Sequence, residues 1–146
     1  MDFDTNVRLA IYQHFARTGQ APSLAQVAAQ VACSEGDVRG AFARLQASRV
    51  LLLEADGETV RMAPPFSGVP TPHTVAVGRQ TYFANCAWDA LGIPAALHQA
   101  AVVHSSCGQS GAPLQLQVGL DGPERSAWLF HCQVPAAQWW EDLVFT

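Results

Sequence analysis

Residues 34–62, SEGDVRGAFARLQASRVLLLEADGETVRM, change their hydrophobic period partway, and that change decides the fold of the first half. Ser34 is placed to cap a helix, because Asp37 stands three positions on and favours the first turn. Val38, Ala41, Phe42 and Leu45 then recur at helical spacing. From Val50 the spacing tightens. Val50–Glu54 and Thr59–Met62 read as two strands of a hairpin around the turn Ala55-Asp56-Gly57-Glu58.

Upstream, Val7, Leu9, Ile11, Tyr12 and Phe15 predict a first helix that stops near Gly19. Ser23 follows Pro22 as an N-cap for a second helix carrying Leu24, Val27, Ala28 and Val31 on one face, which Cys33-Ser34 ends. Three helices and a hairpin predict a winged helix-turn-helix over residues 1–63. On that fold Arg39, Arg44 and Arg49 of the third helix would face DNA. Glu35 and Asp37 dilute that helix, however, and the wing offers Asp56 and Glu58, so a structural or docking role is the stronger expectation.

Charge points the same way. The 146 residues carry a net charge of −4, with eight arginines and no lysine. Six arginines meet seven acids up to Pro65, and two meet five beyond it. Neither half has the positive excess that phosphate neutralisation demands, so DNA is not an expected partner. Hydrophobic residues make up 49% and charged residues 14%, enough apolar content for a packed core. No apolar run reaches the roughly 18 residues of a membrane span, and the acidic start MDFDTNVRLA lacks the features of a signal peptide. A cytoplasmic location and no membrane partner are expected. The four cysteines, Cys33, Cys86, Cys107 and Cys132, show no CxxC or zinc spacing, and are expected as reduced thiols.

Residues 64–73 form a Pro-rich linker that should cross between the halves in extended form. The second half, 74–146, mixes the two periods, so the whole chain is expected to be α+β. Thr74–Val77 predicts a strand ending at Gly78. Tyr82, Phe83, Cys86, Ala90 and Leu91 share helical spacing, with Gly92-Ile93-Pro94 as an interruption. Ala101–His104 and Leu114–Val118 predict strands joined by a loop, Ala127–Cys132 is a third strand candidate, and Pro135 opens a last segment containing Trp139 and Trp140.

Cys86-Ala87-Trp88-Asp89 sets a thiol and a carboxylate three apart, which on a helix places them on one face. The carboxylate has two conceivable roles. It can take the thiol proton and deliver it later as an acid, or it can raise the thiol pKa by repulsion and leave the sulfur inert. Spacing does not choose between them, and a Cys in an apolar helix is commonly core filler.

The stretch GRQTYFANCAWDALGIPAAL, Gly78–Leu97, resembles the motif of the alkylmercury (organomercurial) lyases. There a Gly-Arg precedes an aromatic-containing helix bearing Cys, an Asp three on, and then a Pro-Ala turn. The likeness continues from Ser105-Ser106-Cys107 to Ser110-Gly111-Ala112-Pro113, and the helical first half and the Pro-Thr-Pro-His linker fit the family layout. The resemblance implies that Cys86 is the thiolate that attacks mercury in R–Hg⁺, and that Asp89 collects thiol protons and hands one to the leaving carbon. It implies no required cofactor, Hg(II) as product or bound ligand, and low-molecular-weight thiols as product acceptors. Hg(II) is soft and prefers thiolate ligands, which makes the scheme chemically sensible.

The family mechanism uses a second cysteine, placed after a segment that ends in Phe. Here Val134–Phe145 is the comparable stretch, and the sequence stops with Thr146, so the core is expected to be incomplete at its C-terminal end. Three readings stay open: a truncated lyase, a relative that only binds a thiophilic metal or partner, or a chain in which Cys132 or Cys107 serves as the second metal-binding thiolate. In the third, strand alternation would turn one of His131 and Cys132 inward and the other outward. A different class, a winged-helix transcriptional regulator or metal-responsive sensor without lyase activity, is the alternative.

Overall fold

The computed structural model describes residues 1–145; Thr146, the last residue of the core assigned from sequence, lies outside them. Three helices come first: α1 (Phe3–Thr18), α2 (Leu24–Val31) and α3 (Glu35–Ala47). Their ends are chemically specified. Asp2 caps α1 by accepting from Thr5 N, and Gly19 closes it in the left-handed region at φ 70°. Ser23 and Gln26 form a reciprocal capping box on α2, and Ser34 accepts from Asp37 N at 3.1 Å on α3.

A three-stranded antiparallel sheet follows, with order β1 (Leu52–Leu53), β2 (Val60–Ala63), β3 (Phe66–Ser67). The hairpin expected from sequence is present but shorter, with a register irregularity at Leu52/Leu53. Its turn is held by Asp56, whose carboxylate accepts from the backbone N–H of Glu58 and Thr59 at 2.8 Å. The Pro-rich segment does not simply cross in extended form. Phe66 and Ser67 pair with Ala63 and Met62 as an edge strand, where the missing N–H groups of Pro64 and Pro65 do no harm. Phe66 is buried and drives this attachment.

The second sheet has five antiparallel strands in the order β5 (Gln80–Phe83), β4 (Thr74–Val77), β6 (Ala101–Ser106), β7 (Pro113–Gly119), β8 (Gly122–Pro123). Helix α4 (Ala87–Leu97) packs on β4 and β6 through buried Ala90 and Ile93. The architecture is therefore α+β. Three local expectations are corrected here. Residues 80–83 are a strand, because Tyr82 and Ala84 point into the core in alternation while Thr81 is exposed. Gly92-Ile93-Pro94 does not break α4, which continues to Leu97 because Ile93 and Pro94 are buried. Residues 127–132 form no strand: the chain leaves the sheet after Glu124, and Trp128, Leu129, Phe130, His131 and Cys132 are all exposed, so the expected in-and-out alternation is absent. A 3₁₀ helix, Ala136–Glu141, follows.

One apolar cluster runs through both sheets and the first three helices. Phe66 lies at its middle: its ring stacks on Phe15 of α1 with centroids 5.3 Å apart and meets Tyr82 of β5 at 5.6 Å. Tyr82 in turn donates its hydroxyl to Ala16 O at 2.6 Å. An isolated bridge pairs Phe66 with Ala84, one residue before the segment that carries the candidate site.

Candidate active site

The site is built where β5 turns into α4. Ala84 is clamped from the Pro-rich segment: its N–H donates to His73 O at 2.8 Å, and its carbonyl accepts from Thr71 Oγ1 at 2.6 Å. With residue 84 fixed, Asn85 and Cys86 follow in set directions. Cys86 is not inside the helix, as its spacing suggested, but is its N-cap, with extended backbone at φ −153° and ψ 178°. Its Sγ accepts from Asp89 N at 3.4 Å. Asp89 therefore sits in the first helical turn, where the helix dipole favours a carboxylate.

Half-burial is the largest influence on both groups. It pushes the Cys86 thiol above its usual range. The Asp89 N–H opposes this, the Asp89 charge adds to it, the Trp88 N–H opposes it, and a Cys132 thiolate would raise it further. Burial likewise raises the Asp89 carboxyl, against a hydrogen bond from Asn85. Both groups are thus shifted toward the neutral form, and the Asp89 charge adds to the shift of Cys86.

Asn85 is the residue that sequence reasoning passed over. Its Nδ2 donates to Asp89 Oδ2 at 3.0 Å and to Phe66 O at 3.1 Å, while its Oδ1 is buried without a partner. Its only signal in the sequence is its position, next to Cys86 and four before Asp89. Tyr12 of α1 closes another side. It donates to Pro64 O at 2.9 Å, and Arg8 lies over its ring at 5.7 Å. Burial raises the Tyr12 hydroxyl, Arg8 lowers it, and the Asp89 charge raises it again, so Tyr12 and Asp89 are within electrostatic reach.

The four cysteines separate clearly. Cys33 is exposed at the α2–α3 turn. Cys107 lies in the β6–β7 turn, where the Ser110 hydroxyl, followed by the N–H groups of Ser110 and Gln109, lowers its pKa. Cys132 is exposed, donates to Val134 O at 2.8 Å, and is near enough for its charge to act on Cys86. The segment carrying it is pinned by Phe130 against Trp88, with centroids 5.7 Å apart. The fold thus pairs Cys86 with Asp89, and of the other three cysteines only Cys132 has a charge that reaches Cys86. Among the described residues no group of three or more His, Cys, Asp or Glu gathers as a metal site, although a linear two-thiolate mercury site needs only two.

Comparison with solved structures finds a crystal structure of the mercury-bound form of MerB2. It superposes with a TM-score of 0.65 at 23% identity, over 84% of this chain and 60% of that one. The likeness is one of fold, and this chain spans about 60% of the length of that protein. No curated protein sequence matches. Residues 66–146, from the edge strand through the site to the last residue, match the family described as MerB, alkylmercury lyase. More than half of the sequence lies within that match, and the chain belongs to the alkylmercury lyase family.

Proposed function

We propose that this chain binds an organomercurial, R–Hg⁺, through Cys86 and cleaves its carbon–mercury bond by protonolysis, with Asp89 as the proton carrier. The observation that carries the reading is the pairing of a half-buried N-cap thiol with a half-buried carboxyl on the same helical turn. Asp89 takes the Cys86 proton as sulfur bonds to mercury. The neutral Asp89 carboxyl then returns a proton to the carbon, the carbon–mercury electron pair becomes the new C–H bond, and Hg(II) stays on sulfur. Burial that favours the neutral acid keeps that proton available, and thiolate ligation suits so soft an ion.

Of the other cysteines we assign Cys132 as the second mercury ligand within this chain, its thiol proton passing to solvent as its sulfur bonds to mercury, because its charge reaches Cys86 and Phe130 of its segment meets Trp88 of α4. Product mercury then passes to low-molecular-weight thiols. The regulator alternative is weakened by ion pairing on α3. Arg39 donates to Glu58 and Arg44 to Asp4 at 2.5–2.9 Å, so the two arginines best placed to meet phosphate face acids already.

The test is phenylmercury with excess thiol, following benzene by gas chromatography. Release by the intact chain that is lost in Cys86→Ser is the expected outcome. Equal release from both proteins, or none from the unaltered chain, sinks the proposal.

A further inference from the structure

The Asp89 carboxylate is held by one side chain, and the chemistry of that contact is selective. Asn85 Nδ2 lies between two acceptors, Phe66 O at 3.1 Å and Asp89 Oδ2 at 3.0 Å. Turning the amide over would set Oδ1 against both acceptors, so only the NH₂ end fits. The arrangement leaves Asn85 Oδ1 buried without a partner, a cost in free energy that a surface-facing or differently turned amide would avoid. It also commits one carboxylate oxygen: Oδ2 accepts from Asn85, and Oδ1 accepts no hydrogen bond from the described residues. The other anchor of Asn85 is the carbonyl of Phe66, whose ring is locked between Phe15 and Tyr82 in the core. The Asp89 carboxylate is thus tied through one amide to the backbone of a buried core residue.

We propose that Asn85 is a positioning residue for the protonolysis, holding Asp89 Oδ2 to the Phe66 backbone so that Oδ1 is the oxygen that takes and returns the proton. This rests on the reading of Asp89 as proton carrier. Two N–H donors on a short planar stem are required. Alanine supplies none, and aspartate at the same size supplies a second negative charge.

Few other titratable groups surround Asp89. Cys86 shares its turn, Tyr12 with Arg8 above its ring is within electrostatic reach from α1, and Cys132 of the C-terminal segment acts on Cys86. Strand β4 carries no titratable side chain, and the one histidine within β6, His104, is exposed. Asn85 is the only one of the described residues whose hydrogen bond lowers the Asp89 pKa.

The experiment compares Asn85→Ala and the isosteric Asn85→Asp with the full chain in two measurements. The first is a carbon-13 carboxyl NMR titration of Asp89, assigned by its loss in Asp89→Asn, which needs no lyase activity. The second is the pH profile of benzene release. The Asp89 midpoint is expected to rise by about half a unit or more in Asn85→Ala and further in Asn85→Asp. The acid limb of kcat should move up in step, with kcat at pH 7 falling about tenfold and KM holding within about twofold. Asn85→Asp keeps the shape of the site, so it reports even where Asn85→Ala fails to fold. An unmoved midpoint in Asn85→Asp, or a rate lowered uniformly at every pH, overturns the proposal. Absence of benzene from the unaltered chain with a shifted midpoint would overturn the proton-carrier reading and leave only the contact.

Discussion

Cys86 caps the helix that carries Asp89: its sulfur accepts the Asp89 backbone N–H at 3.4 Å, so the thiol and the carboxyl share one helical turn with the thiol outside it. An N-cap prefers a small side chain with a good acceptor, and serine serves better than cysteine. Cys86→Ser should therefore keep or raise the melting temperature, while Cys86→Ala should lie about 1 kcal/mol below Cys86→Ser in unfolding free energy. Chemical denaturation of the two variants checks this, and equal stability would mean that the cap contact contributes nothing.

The two more sheltered thiols are shifted in opposite directions. Burial first, and the Asp89 charge in part, raises Cys86, whereas the Ser110 hydroxyl and nearby N–H groups lower Cys107. Between pH 6 and 8, iodoacetamide should label Cys107 at least about tenfold faster than Cys86, by peptide mass spectrometry. The ratio should narrow as pH passes the ordinary thiol value of 9.0. Faster labelling of Cys86 at neutral pH would show that helix-terminal stabilisation, not burial, governs its acidity.

Asp89 has a folded-state pKa raised above 3.8 by burial, with Asn85 opposing. The native state then binds the proton more tightly than the unfolded chain. Its stabilising effect is full below the unfolded value and is lost as pH rises through the raised one. At neutral pH the ionised carboxylate is a net liability. Asp89→Asn should melt about 2 °C above the unaltered chain at pH 7 and level with it near pH 3.5, while losing benzene release. A variant less stable at pH 7 would mean that the contacts of the charged form outweigh its desolvation.

The halves of the chain are joined through Phe66 and Tyr82. Phe66→Ala removes a buried ring that meets Phe15, Tyr12 and Tyr82, and should cost about 3 to 5 kcal/mol. Tyr82→Phe loses only the bond to Ala16 O and should cost about 1 kcal/mol. Both variants should unfold in a single transition by calorimetry. Two separate transitions in either would show that the helical half and the lyase-like core are energetically independent.

What was legible in the sequence was local. Ser23 and Ser34 announce helix starts because their partners, Gln26 and Asp37, lie three residues away, and Gly78 ends the strand 74–77 by its own backbone freedom at φ 57°. Tyr82 was misread because its spacing to Cys86 and Ala90 matches a helix, whereas its real partners, Val75 across the strand pair and Phe66 in the core, are remote in sequence. The pairing of Cys86 with Asp89 was visible through its spacing and the family motif. The role of Cys86 as N-cap was not, since cysteine is an uncommon cap. Asn85 was hidden because its second anchor, Phe66, is nineteen residues upstream in a segment that read as linker. Apolar residues 127–132 suggested a strand, yet they join neither sheet and run exposed, with Phe130 against Trp88 of α4.

The most direct test of the central claim is a single turnover with phenylmercury in deuterated buffer without added thiol, read by benzene yield and by the mass of the chain. About one monodeuterated benzene per chain is expected. A mercury adduct is expected on the peptides containing Cys86 and Cys132, with both signals gone in Cys86→Ser. Benzene released at an unchanged rate by Cys86→Ser, or an adduct formed only at Cys33 or Cys107, would contradict that claim.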